Sequence, residues 1–342
     1  MIYVWRCRHL LHVIDRMAPP FWQSHCQQHF QEFLGHLRNP HVRSLAWLLD
    51  APDLFDHYAP CWEGRIARLG DAVAETDHDL LLSLERDPSP LLKALALSPH
   101  TRLGRYAESL MAFYLQTQGV LEKHGLQIRD DNKRTIGEFD FLVRIREEIV
   151  HWEFATKFYL LEPGGNGRDA DYFIGPNLAD TLGAKMNKIF ERQLLLSAHP
   201  AAQRMLQIPV SRAQAFVKGW LFYRRHASVP VMLEGLSAAH CRGYWCTHSE
   251  WREEFSGDAT PDRRYVVLTR LQWLAPARMP KEEMFSGAGL QQQLDAHFAH
   301  DDMPLLVAVM AMDGQHAYEI ERGFVVRDDW QERASRRLGL AR

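Results

Sequence analysis

The alternation of apolar and polar positions changes character several times along this chain. Phe21–Leu37, Val42–Leu49 and Trp62–Leu84 carry apolar residues at helical spacing, punctuated by Pro40, Pro52 and the Asp87-Pro88-Ser89-Pro90 cluster. Leu103, Tyr106, Ala107, Leu110, Met111, Tyr114 and Leu115 form a 3.6-residue stripe that predicts a helix over Leu103–Gln118, with Glu108 beside the stripe. The period then shortens to two. A short strand is expected at Gln127–Asp130. A better one opens at Thr135-Ile136-Gly137 and sets Phe139, Phe141, Val143 and Ile145 on one face, with Glu138, Asp140, Leu142 and Arg144 on the other. A third strand runs from Ile149 to Leu160, with Glu153, Ala155 and Lys157 sharing a face. A long helix over Leu178–Ser197, carrying Asp180, Lys185, Lys188, Arg192 and Gln193, precedes a strand at Ala215–Tyr223.

The order is thus helix, three strands, helix, strand. Three consecutive short strands imply an antiparallel meander, and the strand after the long helix is expected to return parallel to one of them. Beyond Arg225, strands are expected at Arg242–Trp245, Arg264–Leu274 and Pro304–Met312, a helix at Gly287–His300, and a hairpin over Tyr318–Arg327 turning at Arg322-Gly323. These shifts divide the chain into a helical region (1–100), an α/β core (101–226) and an α+β accessory region (227–342).

Acidic and basic residues inside apolar strands change this from a fold to a candidate site. A buried unpaired carboxylate or ammonium is costly, so Asp140, Glu153 and Lys157 call for a reason, and a bound metal beside a catalytic lysine is one. Structural ion pairs at a strand edge are the other. The 342-residue chain has a formal charge of −3, so nucleic-acid binding must rest on a local patch. Lys185, Lys188, Arg192, Arg204, Arg212, Lys218, Arg224 and Arg225 form such a stretch, interrupted by Glu191. A solvated helix face accounts for it equally well.

Five scattered cysteines argue against a disulfide framework and suit a reducing compartment. The longest apolar run, Leu305–Met312, is too short to span a membrane, and His9, His12, Asp15 and Arg16 break the N-terminal apolar stretch. A cytoplasmic protein with no membrane partner is expected. Cys7, His9, His12 and His25, Cys26, His29 are near enough on helices to bind a metal, although surface histidines at helical spacing are commoner. His240, Cys241, Cys246 and His248 could hold zinc, but adjacent ligands and odd spacing speak against it. Pro163-Gly164-Gly165-Asn166-Gly167 lacks the phosphate-loop lysine and reads as a connection. Tyr244, Trp245, Trp251 and Trp273 suit packing better than base stacking.

The element order, with its acids and lysine, resembles the PD-(D/E)XK nuclease superfamily and its restriction-endonuclease-like core. The phrases Gly137-Glu-Phe-Asp-Phe-Leu142, His151-Trp-Glu-Phe-Ala-Thr-Lys-Phe-Tyr-Leu160 and Gly175-Pro-Asn177 resemble more closely a bacterial family, domain of unknown function 1853. The resemblance implies a helix acid at Glu108, a metal-binding aspartate at Asp140 and a strand ending in the catalytic Lys157. It further implies Mg2+ or Mn2+ held by Asp140, Glu153 and Glu108, and nucleic acid contacted by Lys185, Lys188, Arg192, Gln193 and Lys218. One position departs from the superfamily pattern. The usual second acid lies two residues before the lysine, where this chain has Ala155. Glu153 is four before it, roughly 13 Å along an extended strand rather than about 7 Å. Either the acid has migrated along the strand, with Glu108 completing the set, or the site has decayed. The expected activity is divalent-metal-dependent phosphodiester hydrolysis. The alternatives are an inactive nucleic-acid-binding protein of the same fold and a scaffold that acts through its helical N-terminal region.

Overall fold

The computed structural model describes residues 25–73, 77–96, 102–164, 168–206, 208–227, 232–255 and 263–339. The Cys7, His9 and His12 group and residues 165–167 of the glycine-rich loop lie outside them. The described residues open with helices α1 (Cys26–Leu34) and α2 (Pro40–Asp50). Asn39 caps α2 by accepting from the His41 and Val42 N–H groups, and Pro40 fills the first turn, where its missing N–H costs nothing. Short α3 (Leu69–Ala72), α4 (Asp77–Arg86) and α5 (Ser89–Ala96) lead to α6 (Leu103–Thr117).

The sheet then begins with β1 (Leu121–Arg129), β2 (Thr135–Ile145), β3 (Glu148–Leu161) and short β4 (Phe173–Ile174). α7 (Leu182–Lys188) continues into a π-turn over Ile189–Gln193 and a 3-10 turn over Leu194–Ala198. α8 (Pro200–Met205), β5 (Val210–Arg224), β6 (Cys241–Thr247), α9 (His248–Phe255) and β7 (Arg264–Leu268) follow. The remaining elements are β8 (Arg278–Pro280), α10 (Gly287–Phe298), β9 (Leu305–Asp313), β10 (His316–Val326) and α11 (Trp330–Arg337).

The result is a mixed α/β protein built on one large mixed sheet, ordered β1-β2-β3-β5-β6-β10-β9-β7, with β4 joining β3 and β8 joining β10. β1, β2 and β3 form the expected antiparallel meander, and β5 returns parallel to β3 along Ile149–Leu160. β6 and β10 extend the parallel run, so the sheet passes without a break across position 226. The core is likewise continuous. Trp47 of α2 stacks on Trp220 of β5, and the cluster around them joins α6, Trp152, Trp245 and Phe324. A second cluster on the opposite face gathers Ala155, Tyr159, Leu182, Ile189 and Val217.

Several expected elements take another form. Trp62–Leu84 is not one helix: Gly64 adopts φ +73°, and Ile66 forms a bridge to Ala215, adding a short ribbon to the free edge of β5. The first strand is longer than expected, and the long helix starts only at Leu182, behind a Thr181 cap, before widening into the π-turn. Arg264–Leu274 is strand only to Leu268. Tyr318–Arg327 does not turn at Arg322-Gly323; β10 runs straight through it, and the reversal is at Gly314 with φ +63°. Phe139 packs with Leu142, Ile149 and Leu196, not with Phe141, Val143 and Ile145, so β2 rolls about its axis at Asp140. Among the described residues no helix is long and apolar enough to cross a membrane.

Candidate active site

Two strands part at the centre of the site. β2 and β3 are paired from Ile145–Glu148 to Phe141–Trp152, and then the ladder stops. The next residues on the two arms of the fork are Asp140 and Glu153. Parting leaves the Phe154 N–H without a strand partner, and Asp140 Oδ2 accepts it at 2.9 Å. Asp140 therefore closes the fork as well as facing into it.

Glu153 is only 2% exposed. Its Oε1 accepts from Gln193 Nε2, while among the described residues no N–H or O–H group donates to Oε2. Gln193 Oε1 accepts in turn from Lys185 Nζ at 3.3 Å, so the end of the π-turn and the last turn of α7 both reach the acid pair. Burial first, then the Glu108 charge, raise Asp140 to about 6, against the Phe154 N–H and a hydrogen bond with Glu153 that lower it; burial, then the Asp140 charge, raise Glu153 to about 9, with Lys185 opposing. Two buried like charges this close resist ionising together, which favours a proton shared between the two carboxyl groups.

Lys157 lies two turns of the pleat further along β3, on the same face. Its ammonium is 3.6 Å from Asp180 Oδ2 and 5.8 Å from the centre of the Tyr159 ring. Burial lowers its pKa, and Asp180 partly restores it. Tyr159 OH donates to the same Asp180 oxygen at 3.0 Å. Asp180 is held by the Gly175-Pro-Asn177 turn, since Gly175 N–H donates to Asp180 O at 2.9 Å and a Cβ on Gly175 would sit 2.7 Å from Asp180 Oδ1. Gly219, opposite Lys157 on β5, is equally constrained: its Cβ would lie 2.1 Å from Lys157 O. Ala155, between the acid and the lysine, is buried in the apolar cluster under α7.

The expected residues divide accordingly. Asp140, Glu153, Lys185 and Gln193 meet at the fork, and Lys157 stands beside them. Glu108 is near enough for its charge to raise Asp140, but its own carboxylate binds His124 Nε2 at 2.9 Å. Among the described residues no three His, Cys, Asp or Glu side chains converge into a ready-made metal cage. Lys188 and Arg192 are exposed on the same helical segment. Lys218 does not face solvent: it is 3% exposed, donates to Ala51 O and pairs with Asp53 at 2.9 Å, so it fastens the chain after α2 to β5 and cannot reach a nucleic acid.

The rest of the basic stretch is largely matched by acids: Arg204 with Asp131, Arg212 with Glu148, Arg224 with Glu250, and Arg225 with Glu254 and Glu321. The His240 group holds no zinc set. His240 binds Tyr223 OH and Ser237 O, Cys241 and Cys246 lie in different clusters, and His248 meets Asp295. His29 is taken by Asp50. Tyr244, Trp245, Trp251 and Trp273 are all buried. Asp180 and His151 were missed as site residues. The turn Gly175-Pro-Asn177 was the available signal for Asp180. His151 lies fully buried with both ring nitrogens unpartnered, Nε2 3.9 Å from Glu153 Oε2.

The fold and site define an α/β protein with a buried acid pair at a fork in its sheet, flanked by two partly buried lysines. Over residues 43–326 the chain matches the family described as "Domain of unknown function (DUF1853)", and it belongs to that family. No curated protein and no solved structure matches it.

Proposed function

We propose that the protein is a divalent-metal-dependent nuclease of PD-(D/E)XK type, hydrolysing phosphodiester bonds of nucleic acid. The observation that carries this reading is the Asp140–Glu153 pair: two buried carboxyl groups that repel each other, one with an oxygen that no protein donor satisfies. A divalent cation fits such a pair, because it replaces the shared proton and removes the repulsion. Asp140 and Glu153 would hold Mg2+ or Mn2+, with Glu108 close by. When bound, the cation supplies charge neutralisation at the phosphoryl oxygens and a more acidic water.

The side chains of the chain do the remainder. Lys157, desolvated and steered by Asp180, is suited to hold a water or to stabilise charge on the phosphoryl group. Gln193 orients Glu153, and Lys185 behind it offsets negative charge at the fork. Lys188 and Arg192, on the exposed side of the same segment, are placed to track a phosphate backbone. The element order helix, antiparallel meander, helix, parallel strand supports the restriction-endonuclease-like reading.

A second reading, nucleic-acid binding without cleavage, draws on Ala155 at the usual acid position and on the engagement of Glu108 by His124. The deciding experiment is cleavage of labelled single-stranded, duplex, branched and RNA substrates with Mg2+ or Mn2+, comparing the wild type with folded Lys157→Ala. The nuclease reading expects metal-dependent cleavage that falls by about 10²-fold or more in the variant. Binding that needs no metal, with no cleavage of any substrate, favours the second reading.

A further inference from the structure

The fork is one end of a longer gap in the sheet. β2 leaves β3 after the Phe141–Trp152 pair, and β4 does not join the same edge until Leu160–Ile174. Among the described residues no strand lies beside this edge of β3 from Glu153 to Tyr159. The Phe154 N–H points into the gap toward Asp140, and the alternation of a strand turns the Thr156 and Phe158 N–H groups the same way. Thr156 Oγ1 is also buried without a partner.

The gap opens as a cleft of about 460 Å³, bordered by Thr156–Tyr159, the start of α6, the Gly175–Asn177 turn, Arg270 and Trp273. Its charges are unequal. Lys157, Arg102 and Arg270 line it, and among the described residues Asp180, already engaged by Lys157, is the only acid on its walls. Arg270 lies over the Trp273 ring, 4.4 Å from its centre, and partial desolvation lowers its pKa. Arg102 is the N-cap of the fifteen-residue α6 and gives no side-chain cap to the helix, so the first N–H groups of α6 face the same space.

Two arginines in excess, one of them over an indole ring, together with backbone N–H groups turned toward the cleft, suit a compact dianion. A phosphomonoester carries close to two negative charges at neutral pH and an internal phosphodiester carries one. We infer that the cleft takes the terminal phosphate of a nucleic acid strand, so that the protein engages phosphorylated strand ends. The inference rests on the nucleic-acid reading of the neighbouring site and extends it to the kind of substrate.

The test needs no cleavage. Fluorescence anisotropy of the full chain in EDTA compares labelled single-stranded and duplex oligonucleotides bearing a 5′-phosphate, a 3′-phosphate or hydroxyl ends, with inorganic phosphate and a nucleoside monophosphate as competitors. One phosphorylated end is expected to bind about tenfold or more tighter than the hydroxyl end. The exposed double variant Arg102→Gln/Arg270→Gln, checked for folding by circular dichroism, is expected to remove that preference.

Equal affinity for all ends, a preference that survives in the double variant, or a nucleoside monophosphate that outcompetes every oligonucleotide would each overturn the inference. The two readings fail separately. Metal-dependent cleavage indifferent to end chemistry removes the strand-end pocket and leaves the nuclease. An Arg102- and Arg270-dependent end preference without cleavage keeps the pocket and removes the nuclease.

Discussion

Two groups of buried charges in this molecule are treated in opposite ways. In β10, Arg322 is fully buried and every polar atom near it is used. Its guanidinium donates to both oxygens of Glu319, to Trp273 O and to Ala275 O, and lies 4.1 Å from the centre of the Trp220 ring. Glu319 also accepts from Ala277 N and from Gln27 Nε2. Opposite charges and mutual hydrogen bonding make this group a closed device that joins α1, the 273–277 turn and β10. At the fork of β2 and β3 the charges are alike, one carboxylate oxygen has no donor, and a cleft lies alongside. Burial alone therefore does not distinguish structure from function. What distinguishes them is whether the buried group is complete without a ligand.

The comparison breaks most easily at its closed end. Arg322→Met leaves Glu319 charged and uncompensated in the core, and is expected to lower stability by about 3–5 kcal/mol in urea unfolding. The open end should respond in the other direction. Because Glu153 is raised from 4.5 to about 9, the folded state keeps a proton that the unfolded chain has released. Stability therefore falls as pH rises from about 4.5 toward 9, and is fully present below that window. Glu153→Gln removes this loss. It is expected to be more stable than wild type at pH 9 by about 1–3 kcal/mol, with little difference at pH 4, and to lose the rise in melting temperature that Mn2+ gives the wild type.

The smallest effect concerns Lys157. Asp180→Asn removes the charge that partly restores its pKa, so the limb of the cleavage pH profile set by Lys157 moves to lower pH, by about one unit or less. An unmoved profile would mean that Lys157 does not set that limb.

Much of this arrangement could be read from periodicity. The α6 stripe, β2 and β3 follow from alternation, the parallel return of β5 follows from the order of elements, and the pairing of Asp140 with Glu153 is what the family resemblance implies. The failures share a cause, which is that a residue's type was read without its depth. Lys218 belongs by composition to a basic stretch, yet its position on the inward side of a central strand makes it a core cation. Arg322-Gly323 has the composition of a turn, but a bulge between Glu319 and Glu321 brings Glu319 and Arg322 to one face. Gly323 is required there because the Tyr244 ring occupies the place of a Cβ, 2.3 Å away. Phe139 was assigned to the face of Phe141 because a regular pleat was assumed through Asp140, where the strand rolls. Asp180 escaped notice because its role depends on a turn that brings it across the chain to Lys157, and no local pattern encodes that distance.

The π-turn at Ile189–Gln193 can be seen as a phase adjustment. Each residue of an α-helix advances its side chain by about 100°, so one extra residue in a turn rotates everything after it by that angle relative to everything before it. Lys185 precedes the widened turn and Gln193 closes it, yet the two side chains touch and together address Glu153. Removing one residue from this stretch would make a more regular helix with a mistimed one: Gln193 would swing away from the acid while Lys185 stayed. The irregularity thus works as a local clock offset, through which one helical segment delivers an amide to the Glu153 carboxyl group and an ammonium to that amide.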